Sequence, residues 1–447
     1  MRTLLLLAFT LSTLFVIAQE DQAKSLLTLD NCIDMALERN VALKQARNNE
    51  IIAESNRFQS IMNFFPSLNA GINYDFYFGN FFDTNAARQV SATSNSSNPN
   101  LSTNVILFNG FSNQYRLQQS KQLQDAAIQN TQSTQQDVET TILTMYLNVI
   151  LDKENIKIAE ERVTLLESQL DREKKRESVG VGNLESVYNF QGQIANQRLT
   201  LNNFNNQLKR DMLSLFQAMQ MDPNTSDVEP YDVDEMDLLF NVDPFEVILE
   251  QSLNSSPALM AANANQKSSM YQYKIAKAQR YPTISAFGRI GSNYSSNGAR
   301  NPTSGDFDSN ADFRQQMKFN EFEYVNISMS IPIFTKFQTS NNIQTARINM
   351  TNADLDVSGA MNTVTNLIQN AYLDLVTAQS TYVSTKENLN ALDQSYEFVK
   401  KRYETGNTDF YSYLESLNNK NRAEIELVNA KYSIIFRKKI LDLYRGN

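Results

Sequence analysis

Two stretches of this chain are related by a fixed shift along the sequence, and that shift limits the folds open to it. Residues 29–75, with Ala36, Asn40, Ala53 and then Phe65-Pro66-Ser67-Leu68, run parallel to residues 245–293, with Leu253, Asn254, Pro257 and then Tyr281-Pro282-Thr283-Ile284, 216 positions later. Beyond the following loop the shift becomes 226 and stays there. Phe108 answers Phe334, Tyr146-Leu147 answers Tyr372-Leu373, and Gly180 answers Gly406. A constant shift over so long a stretch marks an internal duplication. The chain is therefore expected to divide into a leader (1–18), a first repeat (19–221), a linker (222–242) and a second repeat (243–447). Each repeat should fold as a helix, two strands, a very long helix, a turn and a return helix.

The long helices follow from what the chain lacks. No glycine or proline falls between Ser112 and Ser178, and Val138, Ile142, Met145, Val149, Ile156, Ala159, Val163, Leu166 and Leu170 recur at alternating steps of four and three. That spacing is a coiled-coil seam, with Asp152 as its polar interruption. Val364, Ile368, Ala371, Leu375, Ala378, Tyr382, Leu389, Leu392, Tyr396 and Val399 repeat the register. At 1.5 Å per residue such a helix is roughly 100 Å long, beyond the needs of a globular core. Shorter helices are expected over 30–64, 184–221, 244–279 and 410–444.

Strands carry the second signal. Leu68, Ala70, Ile72, Tyr74, Phe76 and Phe78 alternate with Asn69, Gly71, Asn73, Asp75 and Tyr77, and Val325, Ile327, Met329, Ile331 and Ile333 alternate with Asn326, Ser328 and Ser330. Residues 101–108 and 284–294 show the same dyad less fully. Strands of about ten residues, apolar on one face and polar on the other, suit a lipid-facing barrel with a wet lumen. A half-buried soluble sheet is the plainer reading. Four strands do not close a barrel, and an open edge in lipid strands its backbone groups, so several protomers must share one. Eight strands would be filled by side chains, whereas twelve would leave a lumen, which favours three copies or more over two. The polar stretches 79–100 and 295–321 read as outer-surface loops.

Composition excludes several functions. The chain has 40 basic and 49 acidic residues, net charge −9, and no histidine or tryptophan. Acidity argues against a nucleic-acid partner. With one cysteine, Cys32, and no histidine, there is no soft ligand set for zinc, copper, haem or an iron–sulfur cluster, and no cofactor is expected. The acids scatter along helical faces, and no nucleotide loop or nucleophile motif occurs, so no enzyme is expected. Residues 1–18 place Arg2 ahead of an apolar run too short to span a membrane, which reads as a secretory signal peptide. Cys32 lies well inside the mature chain and reads as a small buried residue of the first helix.

Several motifs together resemble the outer-membrane efflux protein family, typified by TolC. They are Leu27-Thr28-Leu29 with Ala36-Leu37-Glu38-Arg39-Asn40, the strand entry at Phe65-Pro66-Ser67-Leu68, Ile331-Pro332-Ile333-Phe334, and Arg402-Tyr403-Glu404-Thr405-Gly406-Asn407-Thr408 with Leu414 and Glu415. The resemblance covers essentially the whole mature chain. It implies an α+β membrane protein: a homotrimer with a coiled-coil helical barrel in the periplasm and a β-barrel in outer-membrane lipid, four strands per protomer. It implies two partners, a periplasmic adaptor and an inner-membrane transporter, in efflux or type I secretion. The residue-level alternative is an envelope-spanning tether that conducts nothing.

The resemblance also assigns a site. Val179, Gly180 and Val181 look like the first adaptor-docking tip turn, and Thr405, Gly406 and Asn407 like the second, which departs from the family pattern at both flanks. Either glycine could instead serve only the turn geometry. Acidic rings in the family map to Ser412 and Glu415, so one acid survives. Tyr403 matches a latch residue at that gate or is one more seam aromatic, and the latch arginine is replaced by Thr408.

Overall fold

The computed structural model describes residues 25–83, 87–91, 93–223, 226–231, 233, 238 and 240–446. The expected leader, 1–18, lies outside them. The chain forms β1 (Ser25–Leu27), α1 (Leu29–Arg39), α2 (Val41–Met62), β2 (Ser67–Gly71), β3 (Tyr74–Tyr77), β4 (Asn80–Asp83), β5 (Arg88–Ser91), β6 (Ser94–Ser97), β7 (Asn100–Asn109), α3 (Ser112–Ser178) and α4 (Leu184–Ala218). It continues through β8 (Ser226–Val228), α5 (Phe245–Ser255), α6 (Pro257–Ala278), β9 (Thr283–Gly291), β10 (Tyr294–Ser295), β11 (Ala299–Arg300), β12 (Phe307–Asp308), α7 (Phe313–Phe319), β13 (Phe322–Ser330), α8 (Gln338–Glu404) and α9 (Phe410–Arg445). Helices α3 and α8 each run 67 residues without interruption.

The helices expected over 30–64 and 244–279 are each broken in two, at places 216 residues apart. Asn40 takes φ −56°, ψ 130°, closing α1 through its N–H to Ala36 O, while its side chain accepts from Leu43 N at 3.2 Å to start α2. Ser256 takes φ −66°, ψ 113°, as the residue before a proline must, and Pro257 opens α6 where its missing N–H is harmless.

The chain forms two compact units. One holds residues 45–132 and 257–364, and its centre is a four-stranded antiparallel sheet in the order β13-β9-β7-β2. Pairing sets its two faces. Across successive strands the pairs run Met329–Ile284–Phe108, Ile327–Ala286–Val105 and Val325–Gly288–Thr103–Leu68. Directly paired residues share a face, so this one is apolar. The other carries Ser328 with Ser285, and Asn326 with Phe287, Asn104 and Ser67. The Ser285 and Ser328 hydroxyls hydrogen-bond at 2.9 Å. Both β2 and β13 pair on one side only.

Two expectations for this unit need correcting. The strand foreseen over 68–78 stops at Gly71 and resumes at Tyr74, where β3 leaves the main sheet to pair with β6. The stretches foreseen as plain loops hold the β4-β5 hairpin, the β3-β6-β10 sheet, β11-β12 and α7. Helix α7 is started by a capping box from Asp312 and Gln315, a reciprocal pair that satisfies backbone donors in a polar stretch. Among the described residues no helix is long and apolar enough to cross a membrane.

The second unit holds residues 25–44, 133–256 and 365–446 of the described chain. Its buried stripe on α3 includes Val138, Ile142, Val149, Ala159 and Leu166, as the seam predicts, but also Leu143, Tyr146 and Ile150. A helix flanked on two sides buries a wider face than the two-per-heptad seam of a helix pair. Cys32 is buried, which pushes its thiol up to about 12. Residues 226–231 and Asp243 are tied to the helical unit. β8 pairs in parallel with β1, Lys153 binds Asp227 at 2.8 Å, the Tyr146 and Tyr432 hydroxyls each donate at 3.0 Å to Glu229 O and Tyr231 O, and Arg445 binds Asp243 at 2.8 Å.

Asp152, the polar interruption of the seam, is buried on α3 and shares a hydrogen bond with Asp211 of α4. Burial, then the second carboxyl, raises its pKa to about 7. The native state thus keeps a proton that the unfolded chain releases above about pH 4. The resulting stability is full below that pH and is lost as pH rises through 7. Asp152→Asn should remove this dependence. Its unfolding free energy at pH 8 should exceed that of the unsubstituted chain by on the order of 1–3 kcal/mol, with little difference at pH 4. Thermal or denaturant melts at the two pH values measure both terms.

Candidate functional site at the helical turns

The turns that join α3 to α4 and α8 to α9 belong to one unit and are built alike. After Ser178, Val181 N and Gly182 N both reach back to Arg176 O, at 3.0 and 2.9 Å, and Gly180 takes φ +79°. After Glu404, Asn407 N reaches Arg402 O at 2.8 Å and Gly406 takes φ +75°. These six-to-one bonds around a left-handed residue are Schellman closures, which satisfy carbonyls that a helix end leaves orphaned. A side chain added at Gly180 or Gly406 would meet nothing within 4 Å, so backbone conformation rather than space requires glycine there. Val179 and Val181 are exposed at 72% and 70%, far above the usual exposure of valine.

Both return helices start on a side-chain cap. Asn183 accepts from Glu185 N at 2.9 Å. Asp409 accepts from Ser412 N at 2.9 Å and from the Ser412 hydroxyl at 2.7 Å, and these bonds hold its carboxyl below the usual range. Ser412 is thus committed to a cap. Glu415, one turn further along α9, is exposed.

Behind the turns the four helices of this tip share an aromatic core of Leu166, Phe190, Ile194, Tyr396, Tyr403, Phe410, Tyr413, Leu414 and Leu417. Tyr403 stacks on Tyr413 with ring centroids 4.8 Å apart and planes 17° from parallel, and Phe190 meets Phe410 edge-on at 4.8 Å. Tyr403 also hydrogen-bonds Ser186 and Glu173 of the first hairpin, and burial is the main reason its pKa is raised. It therefore bridges the two hairpins within one chain.

Glu173 was missed as a candidate. It is 3% exposed and ion-paired to Arg176 at 3.2 Å. A signal existed, since it extends the seam by the next step of three after Leu170, where a charge is out of place. With Arg176, Asn183, Ser186, Tyr403 and Asp409 it lines a cavity of about 370 Å³ between the hairpins. Among the described residues no three of His, Cys, Asp or Glu are placed to hold a metal ion.

The fold has clear relatives. The VceC outer membrane protein of Vibrio cholerae superposes with a TM-score of 0.78 at 15% identity, over 94% of this chain and 96% of that one. The CmeC outer membrane channel of Campylobacter jejuni gives 0.78 at 17%, over 96% and 90%, and the open state of the MtrE channel of Neisseria gonorrhoeae gives 0.72 at 18%, over 94% and 88%. No curated protein sequence matches the chain. The family described as outer membrane efflux protein matches residues 32–219 and 248–442. The chain therefore belongs to the outer membrane efflux protein family, and it resides in the bacterial outer membrane with its helical part in the periplasm.

Proposed function

We propose that three copies of this chain close one twelve-stranded barrel continued by a helical tunnel, forming a passive duct for small molecules or proteins. A periplasmic adaptor would join the duct to the inner-membrane transporter that supplies the energy. One observation carries this reading: a sheet with an apolar face, a polar face and two unpaired edge strands. In hydrocarbon each orphaned backbone group costs several kcal/mol, so β2 of one protomer and β13 of the next need each other. Three copies give twelve strands, enough for a polar lumen. The solved relatives named as channels agree with it.

The duplication fits the same scheme. Helices α1 and α2 end where α5 and α6 do after a shift of 216, and α3 spans the residues of α8 after a shift of 226. We read residues 19–221 and 243–447 as two repeats, so that three chains supply six similar sectors. Residues 222–242 link the two repeats.

The tip residues take two roles in this reading. Val179, Gly180, Val181, Gly406 and Asn407 form the adaptor-docking turns. Exposed valines on a closed turn offer apolar contact at little ordering cost. Glu415 and Ser412 face the periplasmic gate, where three Glu415 carboxylates would attract cations. Tyr403 serves the gate by tying the hairpins together.

In planar bilayers the purified protein should conduct in cation-selective steps, and Glu415→Ala should lose that selectivity or open wider. If both proteins conduct alike, Glu415 has no gating role. Failure of both to conduct, though folded and inserted, would sink the duct itself. Val181→Asp should leave conductance unchanged while lowering export in cells about tenfold or more, because it buries a charge in the docking contact. Unchanged export would remove the first turn from the adaptor surface.

A further inference from the structure

A groove at the junction of strand and helix carries chemistry that neither the barrel nor the tip uses. It lies between the start of α3 and the end of α6 and encloses about 340 Å³, lined by Phe108, Phe111, Tyr115, Lys274, Lys277 and Tyr281 among others. Gly110, with φ +66°, permits it. A Cβ there would stand 2.7 Å from Ala278 O and 2.8 Å from the Tyr281 side chain, so any larger residue would push α6 away. Phe108 is paired with Ile284, which is itself paired with Met329 on its other side, so one wall of the groove continues the apolar face of the sheet. Phe111 and Tyr281 are exposed.

The other wall is cationic. Lys274 sits 4.9 Å from the Tyr271 ring and 5.9 Å from the Tyr115 ring, and Lys277 sits 4.5 Å from that of Tyr273. Cation–π contacts position an ammonium without neutralising it. No acidic residue occurs between Glu250 and Asp306, or on α3 before Asp125, although the whole chain has a net charge of −9. The repeated fold does not ask for these cations, because the positions 216 residues earlier on α2 are Phe58 and Ile61.

From this juxtaposition we infer that the groove binds an anionic phospholipid of the periplasmic leaflet, its phosphate between Lys274 and Lys277 and its acyl chains along Phe108, Ile284 and Met329. The inference rests on the barrel reading, which makes the apolar face the lipid surface and sets the helix side at the periplasmic leaflet. Basic pockets at the foot of membrane spans recognise anionic headgroups. The cavity suits a headgroup and is too small for a helix.

The chain has no tryptophan, so Phe111→Trp places a single fluorophore in the groove. Reconstituted trimers should be quenched by brominated phosphatidylglycerol at a mole fraction about tenfold lower than by brominated phosphatidylcholine. Adding Lys274→Gln and Lys277→Gln should abolish that preference while quenching persists. Equal quenching by both lipids in the unsubstituted background, or a preference unaffected by the lysine changes, overturns the inference and leaves the barrel standing. Relief of quenching by millimolar inorganic phosphate would mean that the groove takes free phosphate instead. Absence of quenching by either lipid in folded, inserted trimers would show that Phe111 is remote from the membrane, and the barrel reading would fall with it.

Discussion

Backbone hydrogen bonding at a sheet edge is the constraint on which the proposed architecture depends. A soluble four-stranded sheet can leave its outer strands to water, whereas in the proposed barrel β2 and β13 would lie in hydrocarbon and have no such solvent. The unsatisfied donors and acceptors of two edges outweigh any single packing interaction in the chain. In the proposed trimer, closure by neighbouring copies would remove them together. The duplication would ease that closure, because strands that enter and leave the sheet by similar turns can meet a neighbour's strands as they meet their own. The glycine–aromatic turn at Gly110 and Phe111 has its counterpart at Lys336 and Phe337, with positive φ at all four residues.

The helical unit solves a different problem. Each return helix has to be held against a long helix and against the other hairpin, and it does so with aromatic packing near the turns and with side chains that pin residues 226–231 further back. Two of the buried acids inside these contacts have polar neighbours. Glu173 has Arg176 and Tyr403, and Asp152 has Asp211. A buried acid with a partner adds specificity of register rather than net stability, because desolvation offsets much of the attraction. The helical unit is therefore sensitive to proton concentration at Asp152, whereas the sheet of the other unit depends mainly on pairing.

Much of this was legible in residue order. The shift of 226 located both long helices, and alternation located β7, β9 and β13. The seam named Ile142, Val149 and Leu166 but passed over Tyr146 and Ile150, because heptad spacing describes contact with one neighbour and these side chains meet a second. The breaks at Asn40 and Ser256 escaped the pattern because hydrophobic periodicity continues across a capped bend. A proline at 257 and a capping asparagine at 40 were the available signals. The interruption after Gly71 escaped for the same reason, since alternation persists through a residue pair whose backbone no longer pairs.

By itself the sequence determined the lengths of the two long helices, the two-faced strands and the left-handed glycines of the turns, since each depends on local sterics and on periodicity within one segment. Only the tertiary structure decided which strand lies beside which, that Tyr403 spans two hairpins, that Ser412 is spent on a cap, and that Lys274 and Lys277 share a groove with Phe108. Those facts depend on contacts between residues far apart in the chain. Spacing along one segment carries no record of what a side chain meets on another.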